Sequence, residues 1–227
     1  MSGAYGSTFA TWRAGAEAPW QAYTHHAFVE GLRDGSLPRS AFLAYLVQDY
    51  VFLRHFSRAW ALALMKSDTL EEMRTAATTV DALVNHEMGL HVETCARHGI
   101  SEAELFAAEE LAPNLAYTRY VLDAGVSGDF LDLMAALAPC VLGYGEIGAR
   151  LAAEKAPDTP YGEWIATYAD AEYQGVCEAV GQMIDGAIAH RLGDAPEASP
   201  RWSRLQAHFT RATQLEVDFW QMGLDAA

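Results

Sequence analysis

The chain has 227 residues, 51% of them apolar, which is ample for one large core; no stretch resembles a linker, so it reads as a single domain over residues 1–227. Its 30 Asp and Glu against 15 Lys and Arg give a formal net charge of −15, which disfavours nucleic acid and anionic lipid as partners. The three cysteines, Cys95, Cys140 and Cys177, are odd in number and far apart, which excludes a disulfide framework or a CxxC metal site and suits a reducing compartment.

Met1 to Trp20 has neither the basic opening nor the apolar run of a signal peptide. Pro38 stands where a long helix begins. Ala41, Phe42, Tyr45, Leu46, Asp49, Phe52, Leu53 and Phe56 then recur at three- and four-residue spacing, up to about Met65. Ser67 and Asp68 break the pattern. Thr69-Leu-Glu-Glu72 has the form of a capping box, so a second long helix is expected from there to Gly99. Ser101-Glu-Ala-Glu104 is another capping box and opens a short helix.

Pro113 opens a helix that ends near Gly125, and a further helix is expected from about Asp129 to Glu154 with Pro139 in its middle. Its longest uncharged stretch, Leu133 to Gly145, falls short of the ~20 residues that cross a bilayer. Pro157 and Pro160 mark a loop, Tyr161 to about His190 is periodic again, Gly193 to Pro200 is a loop, and a last helix runs from about Arg201 to Gly223. No stretch alternates as a strand does. The expectation is an all-α bundle of long antiparallel helices with active groups pointing inward, in a soluble cytoplasmic protein.

The most unusual segment is Ala138-Pro-Cys-Val-Leu-Gly-Tyr-Gly-Glu146. A proline inside a helix removes a hydrogen bond and bends it, and Gly143 and Gly145 loosen the same turn. Such a bend can hold Cys140 at a pocket wall, with Tyr144 one turn on. Among polar neighbours this thiol could ionise and attack an electrophilic carbon; equally, it could be a small buried hydrophobe beside a structural kink. Asp49 lies on the same face as Tyr45, Phe52 and Phe56, where a carboxylate needs a partner: either a polar ligand entering the core or a neighbouring Tyr or Arg. Glu216 shares a face with Phe219 and Trp220, and the spacing leaves open whether it is buried with them or solvated.

Tyr117, Tyr120, Tyr144, Tyr161, Trp164, Tyr168 and Tyr173 suit a flat heteroaromatic ligand, but such stripes also form ordinary core. Asn85-His-Glu-Met-Gly-Leu-His91 falls short of the HExxH zinc pattern, because His86 and His91 are one residue too far apart. Glu87 and His91 have di-iron spacing without a second pair to match, so an ion pair or packing contact is the preferred reading and no metal is expected.

Together these segments resemble the TenA family, the thiaminase II or aminopyrimidine aminohydrolase proteins, over nearly the whole chain. The resemblance rests on Phe42-Leu-Ala-Tyr-Leu-Val-Gln-Asp-Tyr50, His86-Glu87 with Leu90-His91, and Tyr117. It continues through Cys140 with Gly143-Tyr144, Trp164 and Tyr168, and Glu216 with Phe219-Trp220. It implies a fold like haem oxygenase, usually a homotetramer, and no cofactor. It implies hydrolysis of an aminopyrimidine, either the aminomethyl pyrimidine from thiamin breakdown or thiamin itself, in pyrimidine salvage. Cys140 would add to a ring carbon, Glu216 would bind a ring nitrogen and pass protons, and Asp49 would hold the amino edge. Phe52, Tyr117, Tyr144, Tyr168 and Phe219 would line the pocket. Phe52 departs from the Tyr frequent at its position, so one polar contact would be lost there. The competing expectations are an oxygenase using haem or a di-iron centre on the same fold, and a non-catalytic binder of thiamin or its pyrimidine.

Overall fold

The computed structural model describes residues 5–226, and every regular element among them is helical. Three short helices open the chain: α1 Ser7–Gly15, α2 Glu17–Thr24 and α3 Ala27–Asp34. Next come α4 Arg39–Lys66, α5 Leu70–Ala82, α6 Met88–Ala96, α7 Glu102–Ala107 and α8 Ala112–Ser127. The chain closes with α9 Phe130–Glu154, α10 Gly162–Ala169, α11 Ala171–Leu192 and α12 Pro200–Asp225. Both expected capping boxes form: Thr69 and Glu72 exchange hydrogen bonds at the start of α5, and Ser101 and Glu104 do so at α7. A third, Asp129 with Asp132, starts α9 and is clamped by Arg201 at 2.7 and 2.8 Å.

Two expected helices are interrupted, and both interruptions matter for the site. The helix expected from Thr69 to Gly99 contains a π-helical turn, Leu83–Glu87, between α5 and α6. Such wide turns rotate the residues that follow and recur at functional sites. The helix expected from Tyr161 to His190 divides at Asp170, whose carboxylate caps α11 by accepting from the Glu172 amide at 2.8 Å. Asp, a poor residue inside a helix, is a good N-cap, so Tyr168 and Tyr173 sit on two helices that meet at a corner.

Helix α9 is the axis of the fold, packed against α4, α8, α10, α11 and α12. It is long and apolar enough to cross a membrane, but 89% of that stretch is buried inside the fold, as expected for a core helix. It runs unbroken through Pro139, and the glycines that follow serve close packing rather than looseness. A Cβ on Gly143 would collide with the Tyr23 ring, whose hydroxyl donates to the Pro139 carbonyl at 3.4 Å. A Cβ on Gly148 would stand 2.5 Å from the Tyr168 backbone carbon, so this glycine sets how closely α10 approaches α9. Gly148→Ala should therefore cost about 1–3 kcal/mol, the range for overpacking. The loss would be read from the denaturant midpoint; an unchanged midpoint would refute the close contact.

Aromatic rings fill the core on the α12 side. Trp220 stacks on Phe28 with centroids 4.9 Å apart and packs against Tyr45 and Tyr144 at 5.2 and 5.4 Å. Glu216 lies one turn before Trp220, buried at 1% exposure.

Candidate active site

A cavity of about 580 Å³ opens between α4, the π turn, α9, α10 and the start of α11. Asp49, Phe52, Cys140, Tyr144 and Tyr168 line it, and none of its lining residues is Lys or Arg. Of the residues expected from sequence, these five meet at one cavity. Tyr117, Glu216 and Phe219 stand behind its surface. Tyr117 and Phe219 pack on the Phe52 ring at 5.0 and 5.4 Å, and Tyr117 donates its hydroxyl to Glu216 Oε1 at 2.8 Å. Glu216 is therefore buried with the aromatics and is not a solvated carboxylate.

Asp49 is buried and its Oδ2 is fully engaged. It accepts from Tyr45 at 3.1 Å and from His91 Nε2 at 2.6 Å, while His91 Nδ1 reaches the Glu87 carbonyl at 3.0 Å. The partners are thus Tyr and His, where the sequence suggested Tyr or Arg. Glu87 points elsewhere: its Oε1 accepts from the Tyr168 hydroxyl at 3.0 Å. No ion pair joins the Glu87 and His91 side chains; each is bonded to a different partner. Sequence reasoning passed over both as site residues. The available signal was their spacing, which puts one turn of helix opposite Asp49. What it lacked was the π turn.

The acidic groups shape one another. Burial raises the Glu216 carboxyl, the Tyr117 hydrogen bond lowers it, the Asp49 charge raises it and Cys140 lowers it, leaving it at about 8. Burial also raises Glu87; the His91 charge opposes this, and it stands at about 7. For His91 burial favours the neutral ring, but the bond and charge of Asp49 outweigh that and hold it at about 9. Burial pushes the Cys140 thiol well above its usual range, and the charges of Glu216, Asp49 and Glu87 push it further. The polar neighbours that bear on this thiol are carboxyls, which favour its protonated form.

These shifts give a stability prediction with one sign. Glu87, Glu216 and His91 all bind protons more tightly folded than unfolded. Stability from such groups is complete below their unfolded values and is lost as pH rises through the folded ones. The thermal midpoint should fall from about pH 7 to pH 9; a midpoint that rises across that window would contradict the assigned shifts.

Among the described residues no group of three or more His, Cys, Asp or Glu side chains forms a possible metal cage. The donors nearest that description, Glu87 and His91, are committed to Tyr168 and Asp49.

The chain matches the family model described as TENA/THI-4/PQQC over residues 13–226. A solved structure from Silicibacter sp. TM1040, described as a TenA family transcription regulator, is 62% identical. It covers 99% of each chain at a TM-score of 0.96. An aminopyrimidine aminohydrolase of Halalkalibacterium halodurans is 39% identical over 91% of this chain and 91% of its own. The chain is also 36% identical to a putative hydroxymethylpyrimidine/phosphomethylpyrimidine kinase 2 of Schizosaccharomyces pombe, over 89% of this chain but 36% of that longer protein. With the fold, the buried Asp49–His91 pair and the Cys140 cavity already in place, these matches show that the chain belongs to the TENA/THI-4/PQQC family.

Proposed function

We propose that this chain hydrolyses aminopyrimidines by cysteine catalysis. It would convert the aminomethyl pyrimidine of thiamin breakdown, or thiamin itself, to hydroxymethylpyrimidine. The carrying observation is a cavity walled by Cys140 and by the paired carboxylate of Asp49, with the raised carboxyl of Glu216 behind that wall and no Lys or Arg in the lining. The name of the Halalkalibacterium relative supports the same reading.

The ring enters with its amino edge on Asp49, which the imidazolium of His91 and the hydroxyl of Tyr45 hold in place. Glu216, protonated near neutral pH, delivers a proton to a ring nitrogen. It takes the thiol proton as Cys140 sulfur bonds to the adjacent ring carbon, so no net charge forms on the ring. The added electron density expels the amine, or the thiazole of thiamin, and water completes the exchange. Covalent addition divides one hard displacement into easier steps. Tyr144, Tyr168 and Phe52 give the ring an aromatic wall, and Tyr117 and Phe219 support it from behind.

The acidic cavity suits a substrate that carries positive charge, as both an aminomethyl ammonium and a thiazolium do. The test is a comparison of kcat/KM for aminomethyl pyrimidine and thiamin, with hydroxymethylpyrimidine identified as product. Folded protein that binds either molecule without turning it over would favour the non-catalytic binder. The same reading places the protein in the cytoplasm as a homotetramer. Exposed Met65, Leu70, Phe106 and Val126 supply apolar surface for such an assembly, and light scattering gives the mass that tests it.

A further inference from the structure

The reaction just described leaves one task without an agent. When water adds to the methylene carbon, something must take its proton. Cys140 is then bonded to the ring, Glu216 is accounting for the ring nitrogen's proton, and Asp49 holds the amino edge with its Oδ2 already shared by Tyr45 and His91.

Glu87 is placed for the work. It ends the π turn and lines the cavity. Oε1 is fixed by the Tyr168 hydroxyl at 3.0 Å. Oε2 has no hydrogen-bond partner among the described residues, yet it is not sealed inside the protein. The other acids on the wall, Glu93, Asp170 and Glu172, are exposed. Glu87 also lines a second cavity of about 500 Å³, whose walls include Phe42, His91, Arg97, Tyr161 and Trp164. Glu87, Leu90, Thr167 and Tyr168 form the partition between the two. Glu87 thus borders both cavities.

We propose that Glu87 is a catalytic base that takes a proton from the water adding to the methylene carbon, with Tyr168 orienting its carboxylate. This rests on the aminohydrolase reading above. The carbon–nitrogen bond of the aminomethyl ammonium breaks first, and neutral ammonia leaves with the bonding pair. The water oxygen then bonds to the methylene carbon as Glu87 accepts the proton, and the ring recovers its electrons. The carbon–sulfur bond breaks, the ring nitrogen's proton returns to sulfur through Glu216, and Glu87 gives its proton to the released ammonia, which becomes ammonium. Near neutral pH Glu87 is poised between its two forms, facing Asp49 and Tyr45 from α4, His91 from α6, Tyr168 from α10 and Tyr173 from α11. A base is most effective when poised in that way.

The test uses Glu87→Gln in the full chain, with aminomethyl pyrimidine as substrate. The amide keeps the side chain's size and can still accept from Tyr168. The expected result is a burst of one equivalent of ammonia per site, followed by a steady rate about 10²–10⁴-fold below wild type. A thiol such as 2-mercaptoethanol, which needs no base to add to the methylene carbon, should restore turnover. A wild-type steady rate, or loss of burst and steady rate together in a variant whose circular dichroism is unchanged, overturns the role. Absence of ammonia from the wild type would overturn the aminohydrolase reading instead, so the two failures are separable.

Discussion

Cys140→Ser should lower turnover of aminomethyl pyrimidine at least about 10³-fold, on the scale seen when a covalent nucleophile is lost. The substitution keeps the side chain's shape, and Cys140 is only partly buried at the cavity wall. Circular dichroism and the thermal midpoint should therefore stay close to wild type. The reason for the loss lies in the surroundings. The site holds even the thiol protonated through burial and three nearby carboxyls. A serine hydroxyl, far less acidic and less nucleophilic, has no cation here to help it ionise, since no Lys or Arg lines the cavity. Ammonia release measured side by side checks the expectation, and turnover that survived would move the chemistry to Glu216 and Asp49.

Glu216→Gln should lower kcat/KM by about 10²–10⁴-fold, the usual contribution of a positioned acid. Gln fills the same volume and its carbonyl can accept the Tyr117 hydrogen bond, so the loss reports the missing proton. The pH profile gives the sharper reading. Glu216 is raised to about 8, and in the proposed reaction its acid form protonates the ring. The wild-type kcat/KM should therefore fall as pH rises through about 8. The groups bearing on Glu216 are Tyr117 from α8, Asp49 from α4 and Cys140 from α9. A Gln variant that kept the alkaline fall would assign that limb to another group.

Much of the helical plan was legible because it is written in local chemistry. The capping boxes at Thr69 and Ser101 name their own helix starts, and the apolar spacing from Ala41 to Phe56 describes one buried face. The missed boundaries depend on competition between local and tertiary terms. Asp170 could have been a solvated residue within a long helix; in the structure its carboxylate accepts from the Glu172 amide and starts α11. The π turn at Leu83–Glu87 has no signature in periodicity over so few residues.

The site divides in the same way. The spacing put Asp49 on a core face and Cys140 beside Tyr144, and the structure puts all three at one cavity. Whether Glu216 was buried or solvated could not be read from α12 alone, because the answer lies on α8, in the Tyr117 hydroxyl. The state of the thiol was likewise illegible. It depends on charges from α4, the π turn and α12, which sequence distance conceals.

The most direct test of the proposed site is a crystal structure of Cys140→Ser with aminomethyl pyrimidine bound. The account predicts the amino edge of the ring within hydrogen-bonding distance of Asp49, a ring nitrogen on Glu216 and the adjacent ring carbon facing the residue 140 side chain. A ring seated in the second cavity, or bound in the first with no contact to Asp49 or Glu216, would contradict it.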